Sequence, residues 1–558
     1  MSPLKIPVGI SDFEKIRENG YYYIDKSSLI STLLQTESTE VTLITRPRRF
    51  GKTLAMSMLA SFFDIRKDTV ALFNDLEISQ KKELCEKWQN QWPTVFFSFK
   101  DIDGLCFQDA YDMLKTLLSF SFQPYMFLLE SEKISDYDKN IFHRIVDQSA
   151  SLPQVKTGFL LLTRMLNSYF GKPVILLLDE YDVPVAKASS NGYYQEMLDV
   201  MKAVMSTTLK DNPALKFAVI TGCLKITKES IFTGTNNFVS DTISSNRLNE
   251  YFGFTDVDVN TLLHDAELSS HMPAIKNWYD GYHFGDLDVY CPWDVMNYVH
   301  DLQINPTAVP ASYWKNTSDN AIIRSFIDYA GSSITKKLET LLSGKPIIQK
   351  VEEDLTYDYL HASENNLWSM LYLTGYLTKV IEADVTQSLP EGESALIIPN
   401  AEIREIFETT IVNWFDDNAR LWNRQKLFHA IWSGNAAAAT EEMNKLLRKT
   451  ISYHDYKEDF YHAFFAGIFA GACYFVESNK EHGEGRSDVI VFDSDGGRVA
   501  IFEVKYTKEI EKLSEECDKA LQQIDTQMYA KELEDEYDKV FCYGISFFKK
   551  RCMIKMKE

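Results

Sequence analysis

None of the eight cysteines, at 85, 106, 223, 291, 473, 517, 542 and 552, forms a CxxC pair. Thiols scattered in this way supply neither a zinc site nor a disulfide framework, and they fit a reducing compartment. No stretch reaches the roughly twenty apolar residues needed to cross a bilayer. The longest, Tyr461 to Val476, is interrupted by His462 and reads as a buried helix followed by a strand. The opening residues, MSPLKIPVGISDFEKI, lack the apolar core of a secretory signal. These absences lead to the expectation of a cytoplasmic protein with no membrane partner. A basic surplus is lacking too. Lys and Arg number 58 against 80 Asp and Glu, a net charge of -22. That balance excludes wholesale coating of nucleic acid by a positive surface, but leaves room for a local basic groove. Internal repeats and low-complexity linkers are absent as well.

What is present is ample core. Hydrophobic residues make up 45% of the chain and aromatics 13%, too many for a disordered polymer. A length of 558 residues suggests several domains. Residues 1–260 alternate strand-like and helix-like segments. Val41–Ile44, Thr94–Phe99, Val174–Leu178 and Phe217–Ile220 are apolar runs of strand length, and Thr53–Phe63 has helical spacing. Apolar strands separated by helices indicate a parallel sheet covered on both faces. Residues 261–445 read as a mainly helical middle region, with Leu421–Trp432 and Ala436–Leu447 broken at Gly434. Residues 446–558 change to helix, strands, helix and strands, ending in Val540–Phe548 and Cys552–Met556.

Between the strand at 41–44 and the helix at 53–63 lies Thr45-Arg-Pro-Arg-Arg-Phe-Gly-Lys-Thr53. A phosphate loop needs backbone N–H groups curled toward an anion, a lysine reaching the β/γ phosphates, and a hydroxyl for Mg²⁺. Gly51, Lys52 and Thr53 fit those parts, although Arg46 stands where GxxxxGK[ST] has its first glycine. Arg46, Arg48 and Arg49 are expected as phosphate ligands or as a face for an acidic partner. The strand at 174–178 ends in Asp179-Glu-Tyr-Asp182, the Walker B pattern. Asp179 is expected to hold Mg²⁺ and Glu180 to activate the attacking water. Asp182 is expected as a helix cap or a supporting acid. Thr221, at the end of the strand 217–220, is a candidate for the γ-phosphate, and Arg247 for a finger toward a neighbouring subunit.

A second constellation lies near the C-terminus. Asp488 opens one strand and Glu503 and Lys505 lie two apart on the next, with the Ser494-Asp-Gly-Gly497 turn between them. Period two puts Glu503 and Lys505 on one face, so the hairpin converges two carboxylates and an ammonium. That set suits phosphodiester cleavage. Asp488, Glu503 and the Val504 carbonyl would bind Mg²⁺ or Mn²⁺ through hard oxygens, with Lys505 lowering the pKa of the attacking water. A helix from about Lys508 would present Gln523, and a helix beginning near Glu458 a further acid, with Glu481 as the rival. The plain alternative is a surface hairpin with a salt bridge from Lys505 to Glu503 or Asp488.

In combination these motifs resemble the AAA-ATPase-like proteins of bacteria that carry a C-terminal PD-(D/E)XK nuclease-superfamily domain. Gly9-Ile-Ser-Asp-Phe13, Tyr23-Ile-Asp-Lys26, Arg46–Thr53, Leu178–Asp182, Thr221-Gly222, Ile231–Gly234 with Asn236-Asn237, and Tyr251–Phe254 follow the family order. Trp278–Tyr282, Tyr313-Trp314 with Thr317, Gly375–Thr378, Ile398–Asn400, Tyr461-His462 and Gly483–Arg486 continue it. The resemblance implies an α/β protein: an ASCE-type P-loop sheet, a helical lid and a restriction-endonuclease-like domain. It makes Arg46 a family trait. It implies an enzyme that binds and hydrolyses ATP with Mg²⁺ and acts on nucleic acid, DNA ahead of RNA. The alternative is an ATP-dependent switch or scaffold whose nuclease-like domain binds without cutting. ATPases of this class often assemble, which makes a homo-oligomer a candidate state.

Overall fold

The computed structural model describes residues 4–35, 39–226, 238–314, 332–355, 364–380, 389–390, 392–410, 425–450, 465, 468–469, 474–478, 481–482, 485–486, 488–493, 496–528, 530–531, 533–534, 536–549 and 551–557. The chain divides into two compact units, Met1–Ile323 with Gly344–Ile406, and Arg324–Ser343 with Phe407–Glu558.

The first unit is built on five parallel strands: β1 (Val41–Thr45), β2 (Thr94–Ser98), β3 (Val174–Asp179), β4 (Leu215–Gly222) and β5 (Phe238–Asp241). Their order is β2-β3-β4-β1-β5, so the strand ending in Thr221 lies between the phosphate-loop strand and the Walker B strand. Every residue of β1 and β3 is buried. A strand covered on both faces has no use for alternation, which is why these read as unbroken apolar runs. Helices Phe107–Phe122, Gly158–Phe170 and Tyr194–Leu209 supply one cover, with Leu118, Leu162 and Met201 in a shared core with Leu43, Phe97 and Leu176.

Part of the middle region packs with the first unit. Helices Asp256–Asp265, Met272–Tyr279 and Pro292–Ile304 share a core with the N-terminal segment, where Ile6 is buried and Leu4, Val8 and Tyr22 pack alongside. The middle region therefore starts inside the first unit. It is also less helical than its composition suggests. Tyr282–Phe284 pairs with Leu287–Val289, and Glu393–Ile397 pairs antiparallel with Ile347–Lys350 and Thr378–Lys379. These strands are two to five residues long, too short for period-two patterning to stand out.

The second unit takes the rest. Helices Gln425–Trp432 and Ala436–Thr450 bury Leu427, Ile431, Met443 and Leu447 against a five-stranded sheet. The sheet runs Phe475–Ser478, Val489–Asp493, Arg498–Tyr506, Lys539–Phe548, Arg551–Met556 in spatial order. All neighbours are antiparallel except Arg498–Tyr506 with Lys539–Phe548, the pair joined through helix Leu513–Thr526. The Tyr461–Val476 reading falls mostly outside the described residues, as do residues 421–424 of the expected helix.

Gly544 fixes how closely helix Leu513–Thr526 approaches the sheet. A Cβ there would lie 2.4 Å from the Cys517 carbonyl oxygen and 3.1 Å from the Ala520 Cβ. The obstacle is helix backbone, which cannot step aside. Gly544→Ala is expected to destabilise the second unit by about 1–3 kcal/mol, the ordinary cost of overpacking. Urea unfolding followed by the fluorescence of Trp432 checks this; an unchanged midpoint would show a looser contact.

Candidate active sites

The first site forms where β1, β3 and β4 end together. Gly51, at φ 83°, caps helix Lys52–Phe63, so the loop turns directly into the first helical N–H groups. Those groups have no intrahelical partner and carry the positive end of the helix dipole, a ready anion cradle. Lys52 is 4% exposed, and its Nζ donates to the carbonyls of Arg46 (2.9 Å) and Pro47 (2.8 Å). The ammonium thus sits across the loop. Thr53 Oγ1 donates to Asp179 Oδ2 at 2.8 Å, and Thr221 Oγ1 donates to Asp179 Oδ1. Asp179 therefore ties the end of β3 to β4 and to the first turn of helix Lys52–Phe63 through two hydroxyls.

Glu180 follows in a left-handed conformation, φ 52°, which turns its side chain toward the loop. Burial raises its pKa, with the Asp179 and Asp182 charges adding to that and Lys52 and Arg48 opposing. Asp182 does not cap its helix by its side chain; Oδ2 accepts the N–H groups of Cys223 and Leu224, both at 3.0 Å, tying the Walker B turn to the end of β4. A cavity of about 350 Å³ opens at this point, lined by Gly51, Lys52, Thr53, Glu180, Arg49 and Trp293 among others. Its far walls are Val8–Ile10 and Tyr22–Ile24 of the N-terminal segment.

The three arginines part company. Arg46 does not face the loop opening. It is fully buried, its Nη2 lies 2.8 Å from Asp241 Oδ1, and its Nη1 donates to the carbonyls of Thr45 and Asp241. Its own N–H is spent on the Gly222 carbonyl. Its place among the expected phosphate ligands therefore lapses. A buried guanidinium must be matched by charge, and β5 supplies that charge in Asp241. Arg247 is bound to the same carboxylate, Nε to Oδ2 at 3.2 Å, and so is not a free finger. Arg48 is exposed and near enough to act electrostatically on Glu180. Arg49 lies over the Trp293 ring, 5.1 Å from its centre.

The second site lies in the hairpin of the second unit. Val489 pairs with Phe502, so Asp488 comes opposite Glu503. Asp488 Oδ2 accepts the Val504 N–H at 2.7 Å, and the two carboxyls are in hydrogen-bonding contact. Lys505 Nζ lies 2.9 Å from Glu503 Oε1, with Glu503 1% exposed. The structure thus brings Asp488, Glu503 and Lys505 together. Gln523 is half-buried on helix Leu513–Thr526 and makes no hydrogen bond to them. Glu458 lies outside the described residues, as does the side chain of Glu481.

Glu503 fits a metal ligand in one respect: Oε2 is buried and receives no donor among the described residues. No three His, Cys, Asp or Glu side chains gather to hold a metal among the described residues. The hairpin therefore offers two carboxyls, and further ligands would come from backbone or water. Burial, and then the Asp488 charge, raise Glu503 from 4.5 to about 7. Below that pH the neutral acid is a poor metal ligand; above it the carboxylate is free to bind. Mg²⁺ is therefore expected to raise the melting temperature more at pH 8 than at pH 6, with Glu503→Gln removing the difference. Thermal melts at several Mg²⁺ concentrations check it; a pH-independent shift would sink it.

A parallel sheet in the order β2-β3-β4-β1-β5, with a lysine loop and paired acids at its end, defines a P-loop NTPase core. The acid–acid–lysine hairpin in a mixed sheet defines a nuclease-like domain. Comparison with known families agrees. Residues 7–232 match the family described as predicted AAA-ATPase, and residues 456–557 the PD-(D/E)XK nuclease superfamily. The chain thus carries an AAA-ATPase-like region followed by a PD-(D/E)XK nuclease-superfamily region. It is also 23% identical to a protein of Azotobacter chroococcum mcd 1 described as "Uncharacterized protein in vnfD 5'region", over 98% of this chain and 97% of that one. No helix among the described residues is long and apolar enough to cross a membrane.

Proposed function

We propose that the first unit binds and hydrolyses ATP with Mg²⁺, and that the second is a metal-dependent nuclease acting on DNA. The observation that carries the first half is the Thr53–Asp179–Thr221 bridge beside Lys52 and Glu180. A hydroxyl and a carboxylate already in contact support a Mg²⁺ bound by one and oriented by the other. Bound Mg²⁺ would neutralise charge on the transferring phosphoryl group. Lys52 and the first-turn N–H groups would hold the phosphates, and Glu180 would take the proton of the attacking water.

In the second unit, Asp488 and Glu503 would hold Mg²⁺ or Mn²⁺, and Lys505 would stabilise the hydroxide or the developing phosphorane charge. The Lys505–Glu503 pair favours this over a purely structural hairpin, because a surface ion pair needs no buried carboxylate. Fusion of the two regions in one chain supports regulation of cleavage by nucleotide state, in a cytoplasmic protein for which a homo-oligomer is a candidate state. A metal panel on plasmid, linear DNA and RNA tests the reading. Cleavage is expected in wild type with Mg²⁺ or Mn²⁺ and is expected to vanish in Asp488→Ala. Cleavage that survives Asp488→Ala would point to a contaminant, and equal rates with and without ATP would defeat the coupling.

A further inference from the structure

Behind the wall of the nucleotide cavity stands a buried acid pair that this chemistry does not use. Asp294 lies in the first turn of helix Pro292–Ile304, and Glu402 begins another helical segment; both are 0% exposed. Their carboxyls are in hydrogen-bonding contact. Glu402 Oε1 accepts the Trp314 N–H at 2.8 Å. Apart from each other and the Cys291 thiol, Glu402 Oε2 and both oxygens of Asp294 find no donor among the described residues.

The peptide that gives its N–H to Glu402 gives its other end to the phosphate loop. Arg49 Nη1 donates to the Tyr313 carbonyl at 3.1 Å. The guanidinium also lies over Trp293, the residue before Asp294. Arg49 itself lines the cavity, in a left-handed conformation at φ 72°, two residues before Gly51. One cation of the loop is thus bound to a peptide that Glu402 holds from its other end, and to the ring next to Asp294 in the chain. Burial, and then the Asp294 charge, push Glu402 up to about 10, and burial raises Asp294 as well, with the Arg49 charge opposing.

We propose that Asp294 and Glu402 are positioning residues for Arg49, holding its guanidinium at the cavity wall as a preformed ligand for the phosphates of the bound nucleotide. The proposal rests on the nucleotide reading above. An arginine immobilised in advance loses less freedom when the anion arrives, so the pair raises affinity without touching the ligand.

Equilibrium dialysis of the full chain against Mg–ATP and against inorganic triphosphate tests it. Loss of both ligands in Lys52→Ala supports the nucleotide reading itself, and a wild type that binds neither overturns that reading and this proposal together. With binding present, Arg49→Ala and Glu402→Leu, which removes the acceptor of the Trp314 N–H, are each expected to weaken it by about tenfold. The double variant is expected to bind no more weakly than Arg49→Ala alone. Added guanidinium ion is expected to restore binding to Arg49→Ala but not to the double variant, a rescue that a merely structural pair would not gate. Additive losses, equal rescue, or unchanged affinity in Glu402→Leu overturns the proposal. Asp294→Asn, which keeps the side-chain volume, serves the same arm if thermal melting shows Glu402→Leu unfolded.

Discussion

Glu180→Gln is expected to slow ATP turnover by about 10²–10⁴-fold, the usual share of a general base, while nucleotide binding persists. The amide keeps the size and position of the carboxyl but cannot take a proton. Glu180, left-handed at φ 52°, lines the cavity beside Lys52, with Lys52 and Arg48 near enough to act on it electrostatically. Burial raises its pKa, so the wild-type rate is expected to climb with pH through a limb above the ordinary carboxylate range. The sign follows from the role: the base works only when ionised, and a raised folded pKa moves ionisation to higher pH. Phosphate release, measured beside retained nucleotide on the same sample, separates chemistry from binding. A Glu180→Gln protein that turns over at the wild-type rate would remove Glu180 from the mechanism.

Arg46→Met is expected to cost the first unit about 3–5 kcal/mol, the penalty for leaving a buried partner uncompensated. Arg46 and Asp241 have side chains 0% and 2% exposed, so a lone Asp241 would stand cut off from solvent. Arg247 reaches the same carboxylate from a partly exposed position and would recover part of the loss. Adding Asp241→Leu to Arg46→Met is expected to restore most of the stability, since two apolar groups of similar volume replace a matched ion pair. Chemical denaturation of the two variants decides it. If Arg46→Met unfolds at the wild-type midpoint, the pair contributes nothing. If it binds ATP more weakly at full stability, Arg46 belongs among the phosphate ligands after all.

Much of the two candidate sites was legible without coordinates. Gly51-Lys52-Thr53 and Asp179-Glu180 each depend on neighbours in sequence and on the element just before or after, so local pattern suffices. Asp488, Glu503 and Lys505 were legible for the same reason: one turn and a period of two bring them together. The arginines were not. Arg46, Arg48 and Arg49 look alike in a row, and their fates diverge only because Asp241, Glu180 and Trp293 arrive from distant parts of the chain. Asp294 and Glu402 carried no signal, because a lone acid in a helix gives no hint that burial will set it against another.

The sequence by itself determined the sheet-forming strands, the phosphate-loop and Walker B motifs, and the acid–acid–lysine hairpin. Each is written in residues close together, where backbone geometry leaves few alternatives. Only the tertiary structure decided where the chain divides, which arginine is buried and which lines the cavity, and that two acids share a core. Those outcomes depend on which charges lose water together, and that is a property of long-range packing.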